Sequence, residues 1–411
     1  MTIAFSHYSA PNDVGGVTTW LEKLLLRLHA DGIPLAVLLH HYGFDVRRSS
    51  LLKPLRSAGI AVEIVSREDS LAGDVRQTLA FLNRYKPSVF IPNCLNSMYF
   101  AAGIAGSQGL PWVLTIHSDA PDYWAIVDAV PPQRSGGITV CVSRHIHSLA
   151  RERCLPGVPE LIPYGVRLPD REAKYCATPF WLAYSGRIVD VQKRISLVMQ
   201  TMALACRREP RLHGVVMGTG TELRNITAWV AQQGLADRIT FTGRLTPQQV
   251  QMELSRCQAL LLMSDFEGLP IVLLEAMALG VVPVVRQIPS GIPELVHDRV
   301  TGLVVDNNPE STADAIISLA RDEALWRTCS QGARTLIREN YADEDSYRKW
   351  RSVLERLERT SVASYPLEIP ARLNVPSDHP LLGRGYPANP PYLGAKRCLI
   401  RMKNALMRCS R

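Results

Sequence analysis

The sequence predicts an α/β protein built from two doubly wound parallel sheets in tandem. Short runs rich in Val, Ile and Leu alternate with helical patterns along the chain, as in parallel sheets covered by helices. The alternation forms two series, separated by a polar, Pro-containing stretch that ends near Pro179. With 411 residues, 46% hydrophobic and 20% charged, the composition is that of a folded chain of two or three domains. It excludes wholesale disorder and a multi-span membrane protein.

The first series consists of short apolar runs bounded by turn residues, which is typical of strands buried on both faces. The predicted strands are residues 3–6, 35–39, 62–65, 89–92, 112–117 and 138–142, followed by an apolar run at 161–166. The spacing of apolar residues at 18–31 predicts a helix after the first strand.

The second series begins again after the polar stretch. Its predicted strands are residues 181–185, 214–217, 239–242, 259–263, 281–285 and 303–305. Helices are expected from 309 to about 339 and again at 341–359. Residues 268–285 are long enough for a membrane span, with Glu275 as the only charge. Pro270, Gly280 and Pro283 divide them, however, and we interpret the segment as a helix followed by a buried strand.

These patterns predict four parts of the chain. We expect a first Rossmann-like domain at 1–170 and a second at 171–340. A helix at 341–360 would cross back to the first domain, and a Pro-rich basic tail would occupy 361–411. Open parallel sheets carry their functional loops at the carboxyl ends of the strands, so the ligand is expected in the cleft between the domains.

The positive charge is concentrated in the tail. Net charge is +8, and residues 361–411 contain eight Lys and Arg against two acidic residues. Residues 396–408 interleave cations with Leu, Ile and Met, which suits an anionic membrane surface. A solvated, partly disordered end explains the same composition equally well. Nucleic acid is not expected as a partner, because the rest of the chain is nearly neutral and has no aromatic and basic stripe.

Other features narrow the location and the chemistry. Nine scattered cysteines without a C-x-x-C pair indicate reduced thiols, and the start shows no secretory signal, so we expect a cytoplasmic protein. P-loop, zinc-protease and nucleophile-elbow motifs are not found in the sequence. Gly218-Thr-Gly220 and Gly15-Gly16 match only part of a dinucleotide fingerprint, which argues against a classical NAD enzyme.

The most informative segment is Glu267-Gly-Leu-Pro-Ile-Val-Leu-Leu-Glu275, directly after the strand predicted at 259–263. Pro270 suits the first turn of a helix, which leaves the amides of Ile271 and Val272 facing the cleft as an anion site. Glu275 lies among apolar residues and needs hydroxyl or cationic partners. Each glutamate alone could be a solvated acid or a core ion pair, but together they indicate a sugar site.

Cations and glycines follow other strand ends. Arg187 ends the strand at 181–185 and Lys193 follows it, so the pair could stabilise a departing diphosphate. Gly218 and Gly220 would let the backbone approach a ligand, or would form a plain tight turn.

The first domain offers two further candidates at strand ends. Gly15 and Gly16 precede the first helix and would present free amides to a phosphate. His117 closes the strand at 112–117 and would place an imidazole at the cleft edge, although a structural role is common for such a residue. His145 and His147 are interpreted as helix-surface residues.

On these motifs the chain resembles retaining glycosyltransferases of the GT-B type, family four, over about residues 3–359. The strongest feature is the Glu-x7-Glu element from Glu267 to Glu275, and Leu269, Ile271 and Val272 lie within it. The resemblance implies that Arg187, Lys193 and the glycine loop hold the donor diphosphate. It also implies that Glu267 and His117 border the donor sugar and that Glu275 binds the ribose. No metal or other cofactor is implied.

One departure concerns the end of the first domain. Tyr164-Gly165-Val166-Arg167 stands where the family commonly has Asn-Gly-Val-Asp, so a role borrowed from that Asn or Asp does not carry over.

The resemblance implies transfer of a hexose-type unit from a nucleotide sugar to a glycan or lipid-linked acceptor in cell-surface polysaccharide synthesis. It implies that the first domain lies on the acceptor side, where the loop from 119 to 134 is a candidate for acceptor contacts, and that the second domain binds the nucleotide sugar. A UDP-sugar is the preferred donor and GDP-mannose the nearest rival. Two alternatives belong to other classes: a sugar-nucleotide epimerase on a similar scaffold, and a non-catalytic binding protein that kept the fold. Product analysis with donor alone separates the transferase from the epimerase, which needs no acceptor.

Overall fold

The computed structural model describes residues 2–9, 15–41, 49–68, 70–130, 136–153 and 159–383. Within them the chain forms two parallel sheets, one in each half of the sequence. The basic segment at 396–408 and the loop residues 131–135 lie outside the described residues.

The first sheet has seven strands in the order β3-β2-β1-β4-β5-β6-β7. Its strands are β1 (Ile3–Ser9), β2 (Leu35–His41), β3 (Ala61–Ser66), β4 (Val89–Pro92), β5 (Trp112–Ile116), β6 (Gly137–Cys141) and β7 (Glu160–Leu161). Its helices are α1 (Gly16–Ala30), α2 (Leu52–Ser57), α3 (Leu71–Tyr85), α4 (Asn96–Gly106), α5 (Pro121–Ala129) and α6 (Arg144–Glu152). The predicted strands are found within a few residues, except that the run at 161–166 contributes only the two-residue β7.

The second sheet has six strands in the order β10-β9-β8-β11-β12-β13. Its strands are β8 (Phe180–Ser185), β9 (Leu212–Met217), β10 (Ile239–Gly243), β11 (Ala259–Leu262), β12 (Val282–Arg286) and β13 (Leu303–Val305). Its helices are α7 (Ile195–Arg208), α8 (Leu223–Gln232), α9 (Pro247–Leu254), α10 (Ile271–Leu279), α11 (Pro309–Arg321) and α12 (Glu323–Asn340). Both sheets reverse strand order beside their first strand, which is the doubly wound arrangement that the sequence predicts.

The strands form the cores because their side chains are apolar on both faces. All four residues of β4 and of β11 are buried, as are the five residues of β5. Side chains satisfy the first amides of several helices: Ser70 caps α3, Ser143 caps α6 and Asn308 caps α11. Residues 268–285 form α10 and β12, as predicted, and none of the described helices is both long and apolar enough to cross a bilayer.

The chain passes between the sheets twice at neighbouring points. Val166 and Ala342 pair as an isolated parallel bridge, with the Val166 amide 2.9 Å from the Tyr341 carbonyl oxygen. The helix that follows, α13 (Asp343–Thr360), packs on the first domain: Trp350 lies 5.5 Å from Trp20 between ring centroids. The Tyr347 hydroxyl donates to Asp31 at the end of α1.

Residues 361–383, here called the C-terminal strap, contain no helix or strand but are held against the first domain. Asn83 accepts from the Leu367 amide at 2.5 Å and donates to its carbonyl at 2.9 Å. Asn96 donates to the carbonyls of Leu381 and Leu382 at 3.1 and 3.0 Å. Up to residue 383 the tail is therefore irregular but docked on the first domain through its backbone.

Candidate active site

Two helix N-termini meet across the cleft between the domains. Helix α1 begins at Gly16, and its first described backbone bond runs from Thr19 to the Gly15 carbonyl. Helix α10 begins at Ile271, and Leu273 and Leu274 donate its first bonds to the Pro270 carbonyl. Pro270 is therefore the N-cap residue of α10. The sequence had suggested a place in the first turn, one position further along.

The two helix starts are close enough to share one ligand. A Cβ added to Gly16 would lie 3.3 Å from Ile271 Cδ1. The amides of Ile271 and Val272 precede the first helical bond of α10, so the positive end of its dipole points toward the first domain. Of the expected anion-binding residues, the structure brings Gly15, Gly16, Ile271 and Val272 together at this point.

The loop after β8 contacts the loop after β11 through charged groups. Lys193 Nζ lies 2.5 Å from Glu267 Oε1, and the two side chains are only 13% and 8% exposed. Removing one partner of an ion pair this buried would destabilise the fold, because the remaining charge would be desolvated without compensation. Arg187 is exposed and donates to the side chain of Gln192. Thus Arg187, Lys193 and Glu267 lie along one edge of the cleft.

Glu275 has a cationic partner that the sequence did not reveal. Lys23 Nζ, on α1 of the first domain, lies 3.5 Å from Glu275 Oε1. The Glu275 side chain is 27% exposed, and Lys23 is a cationic partner of the kind that its apolar neighbours were expected to require. Burial still raises the pKa of Glu275, while Lys23 opposes that rise. The glutamate therefore joins the two domains in this structure.

The glycines after β9 pack against the loop after β8. A Cβ at Gly218 would lie 1.9 Å from the Gly186 carbonyl oxygen, and one at Gly220 would lie 2.1 Å from that of Ile188. Gly218 also has a φ of +143°, which side-chain-bearing residues rarely adopt. Within the second domain, these glycines allow two loop backbones to touch, and this contact holds the Arg187 loop in place.

His117 is enclosed by first-domain side chains. Its Nε2 lies 3.2 Å from Asn93 Oδ1 and its Nδ1 lies 2.5 Å from the Tyr164 hydroxyl. Because Asn93 Oδ1 can only accept, Nε2 carries the proton and Tyr164 donates to Nδ1. Burial, assisted by the nearby charge of His7, lowers the pKa of His117 to about 3. The imidazole is neutral around pH 7, and both of its nitrogens are engaged.

Asn93 and Tyr164 were not predicted as site residues. Asn93 directly follows β4, so its position at a strand end was an available clue. Tyr164 belongs to the segment where this chain departs from the family pattern, and here its ring stacks on His117 at 6.0 Å and 7°. Trp20 packs edge-on against His117 at 5.2 Å. Together they form an aromatic wall on the first-domain side of the cleft.

The backbone after His117 touches the Glu267 loop directly. Ser118 and Gly268 form an isolated antiparallel bridge. A Cβ at Gly268 would lie 2.0 Å from the His117 carbonyl oxygen, so only glycine allows this approach. Leu269 is buried beside Gly291, so only its backbone can face a ligand. The strand-end His and the Glu-x7-Glu loop are thus neighbours, although 150 residues separate His117 from Glu267 in the sequence.

A cavity of about 760 Å³ opens beside Asp119, two residues after His117. It lies between α5, α6 and the C-terminal strap, and Trp124, Arg153 and Leu382 line it. Asp119 accepts from Trp124 Nε1 at 2.6 Å and lies 3.3 Å from His145 Nε2, so His145 is more than a surface residue. Within the described ranges, no three His, Cys, Asp or Glu side chains converge as metal ligands.

Residues 172–336 match the family model described as Glycosyl transferases group 1. Over this stretch, which is less than half of the chain, the second domain is similar to group 1 glycosyltransferases. The match contains Arg187, Lys193, Glu267 and Glu275, and it confirms the resemblance that the Glu-x7-Glu segment suggested.

Curated relatives align with part of the chain. The chain is 30% identical over 161 residues to the alpha-D-kanosaminyltransferase of Streptomyces kanamyceticus, which covers 39% of this chain and 41% of that protein. It is 30% identical over 149 residues to the amylovoran biosynthesis glycosyltransferase AmsK of Erwinia amylovora, covering 34% and 36%. The alignments therefore span less than half the length of either relative.

The likeness in structure extends beyond the group 1 domain. Anabaena Alr3699/HepE, solved in complex with UDP and glucose, superposes with a TM-score of 0.71 at 15% identity, over 86% of this chain and 99% of that one. Sucrose-phosphate synthase from Thermosynechococcus elongatus gives a TM-score of 0.69 at 18% identity, over 88% and 100%. The predicted fold, two Rossmann-like domains of the GT-B type, is confirmed.

Proposed function

We propose that the protein is a retaining, metal-independent glycosyltransferase that moves a hexose-type sugar from a nucleoside diphosphate to a glycan or lipid-linked acceptor. The observation that carries this proposal is one cleft edge where two helix N-termini, Arg187, Lys193 and Glu267 converge. Such a concentration of positive groups beside a carboxylate suits a ligand that is anionic at one end and hydroxyl-rich at the other.

The chemistry follows from these groups. The bond between the anomeric carbon and the diphosphate oxygen breaks, and the electron pair leaves with the diphosphate. Arg187, Lys193 and the amides of Ile271 and Val272 stabilise the growing negative charge on that leaving group. An acceptor hydroxyl attacks the anomeric carbon from the same face, and its proton passes to the departing diphosphate oxygen, so configuration is retained.

The other residues hold and shield the sugar. Glu267 accepts hydrogen bonds from sugar hydroxyls, and Glu275 binds the ribose once the donor competes with Lys23. With a pKa of about 3, His117 is too weak a base to take the acceptor proton at neutral pH, so it serves as a neutral wall beside the sugar. Contact between Ser118 and Gly268 closes the cleft to water, which limits hydrolysis of the donor.

A UDP-sugar is the preferred donor, with GDP-mannose next. The UDP and glucose bound to the Anabaena protein of the same fold support this order. We propose that the acceptor binds in the cavity beside Asp119, which adjoins the strand end of His117. The name of the Erwinia relative, an amylovoran biosynthesis glycosyltransferase, supports a role in polysaccharide synthesis.

A cytoplasmic location, with attachment to the inner membrane face through residues 396–408, remains a prediction from the sequence. Sedimentation with anionic vesicles tests it: deletion of residues 394–411 should lower the bound fraction, and an unchanged fraction contradicts it.

A nucleotide-sugar panel tests the proposal. UDP-glucose, UDP-galactose, UDP-N-acetylglucosamine and GDP-mannose are each added at saturating concentration, and thermal unfolding is followed. A selective donor should raise the unfolding temperature, since a ligand at about 100 times its Kd adds roughly 2.7 kcal/mol to native stability. No stabilisation by any nucleotide sugar would contradict the proposal.

Incubating the stabilising donor without acceptor then separates the classes by NMR. A transferase leaves the sugar unchanged or slowly hydrolysed, whereas an epimerase produces a second nucleotide sugar. Donor binding without turnover under any acceptor condition would favour a non-catalytic binding protein.

A further inference from the structure

Gln192 occupies a junction that the chemistry above does not use. It lies half-buried in the loop between Arg187 and Lys193. Its side-chain oxygen accepts from the Arg187 guanidinium, and its side-chain nitrogen donates to the Phe266 carbonyl at 2.9 Å. One amide therefore connects the exposed cation of the β8 loop to the residue that precedes Glu267.

The orientation of this amide follows from its partners. A guanidinium offers only donors and a carbonyl offers only an acceptor, so the oxygen must face Arg187 and the nitrogen must face Phe266. No other common side chain of this length offers an acceptor and a donor in these two directions without carrying charge. Lysine and methionine would lose the contact with Arg187, and glutamate would lose the donor to Phe266.

Resting on the proposed function, we propose that Gln192 is a positioning residue for the donor diphosphate. Arg187 is exposed, and a long exposed side chain otherwise samples many rotamers, which would cost entropy each time it engaged a phosphate. The Gln192 amide holds the guanidinium at a set distance from the Glu267 loop. Because the amide is neutral, it orders Arg187 without cancelling the positive charge that the diphosphate needs.

The two loops remain joined when this side chain changes. The Asp265 amide donates to the Gln192 backbone carbonyl at 2.9 Å, and Lys193 pairs with Glu267 independently. Substitution of Gln192 therefore removes the side-chain link while leaving the loop contact in place. This separation makes the role of the amide measurable without loss of the fold.

The test compares binding of UDP and UMP, with GDP and GMP in parallel, by isothermal titration calorimetry. Gln192→Ala should weaken diphosphate binding about tenfold, the loss expected for one charge-assisted hydrogen bond, and leave monophosphate binding within about twofold. Gln192→Glu should weaken diphosphate binding further, since its carboxylate neutralises Arg187. The exposed Gln232, on α8 of the same domain, supplies matched controls as Gln232→Ala and Gln232→Glu.

A double-mutant cycle separates positioning from a general structural effect. If Gln192 acts through Arg187, then Gln192→Ala combined with Arg187→Ala should bind the diphosphate no more weakly than Arg187→Ala alone. Additive losses, or equal losses for monophosphate and diphosphate, would overturn the positioning role. An unchanged ratio of diphosphate to monophosphate affinity in Gln192→Ala would overturn it too. A wild-type protein that binds neither UDP nor GDP would instead overturn the proposed function, and the inference with it.

Discussion

The two walls of the cleft differ in the charge that they carry. The first-domain wall is neutral: His117 is enclosed by Asn93, Tyr164 and Trp20, and burial lowers its pKa to about 3. The second-domain wall carries the Lys193–Glu267 ion pair and the exposed Arg187. Each wall matches the half of the ligand that the proposed reaction places against it.

The difference teaches how one cleft can serve two parts of a reaction. A neutral aromatic wall excludes water and suits contact with a sugar ring or an acceptor. It also adds no charge that would compete with the second domain for a diphosphate. In the proposed reaction, a charged wall fixed by an ion pair would already face the leaving group and would need little reorganisation. The following three predictions test whether the two walls can be altered separately, beginning with the largest effect.

Loss of Lys193 should have the largest effect, because it removes a charge from the second-domain wall. We expect Lys193→Met to lower kcat by about 10² to 10³, the usual loss for one donor to a developing anion. The variant also leaves Glu267 buried without its partner, so its unfolding temperature should fall.

Two further variants separate stability from catalysis at this pair. The combination Lys193→Met with Glu267→Gln should regain stability but not activity, and Lys174→Met, at an exposed lysine, is the matched control. Activity of Lys193→Met within about twofold of wild type would show that the charge is dispensable, since an essential group costs far more.

A methyl group at Gly268 should separate the walls. Its Cβ would lie 2.0 Å from the His117 carbonyl oxygen, so the domains could not approach as closely. Gly268→Ala should lower kcat/KM by roughly 10- to 100-fold, as expected when reacting groups are displaced by about 1 Å. Because the contact lies between domains, the unfolding temperature should change little.

Gly218→Ala is the companion measurement to Gly268→Ala. Its Cβ would lie 1.9 Å from the Gly186 carbonyl oxygen inside the second domain, so it should destabilise that domain by about 1–3 kcal/mol. Calorimetry of both variants checks the contrast. A strong loss of stability in Gly268→Ala would mean that the two walls form one cooperative unit.

The smallest effect should appear in the pH dependence of stability. His117 has an ordinary pKa of 6.5 and a folded pKa of about 3, so the unfolded chain binds its proton first as pH falls. The contribution of neutral His117 to the free energy of unfolding is therefore complete above pH 6.5 and is lost progressively toward pH 3. His117→Gln should reduce the dependence of the free energy of unfolding on pH, measured by urea unfolding between pH 7 and about 4.5.

The matched control is His297→Gln, which replaces an exposed histidine of the second domain. His40, whose pKa burial also lowers to about 3, contributes in the same direction in every variant. If His117→Gln kept the full wild-type slope, the imidazole of His117 would have to be charged in the folded state.

Much of the fold could be predicted because strands buried on both faces have a distinctive local composition. The runs at 89–92 and 303–305 are the strands β4 and β13 without any shift. Strand ends also located Arg187, Glu267 and His117, since parallel strands bring their following loops to one edge. Residues 268–285 were separable into helix and strand because Pro270, Gly280 and Pro283 interrupt them.

Partners from distant parts of the chain could not be predicted. Lys23 and Glu275 are 252 residues apart, and no local pattern relates them. The spacing of Gly218 and Gly220 does not reveal whether a ligand or another backbone lies opposite. Docking of the C-terminal strap could not be predicted either. Its backbone groups bond to the side chains of Asn83 and Asn96, and such contacts leave no periodic pattern in the sequence.

The paired crossings at Val166 and Ala342 place the two connections between the lobes side by side. Two chain segments joined in this way would resist sliding and shear while allowing rotation about a line through the bridge. This double hinge would let Gly268 swing away from His117, and Ile271 from Gly16, while the base of the cleft stays in register. In the proposed reaction, a donor could then enter and a spent nucleotide leave by one angular motion, with each lobe retaining its own internal arrangement.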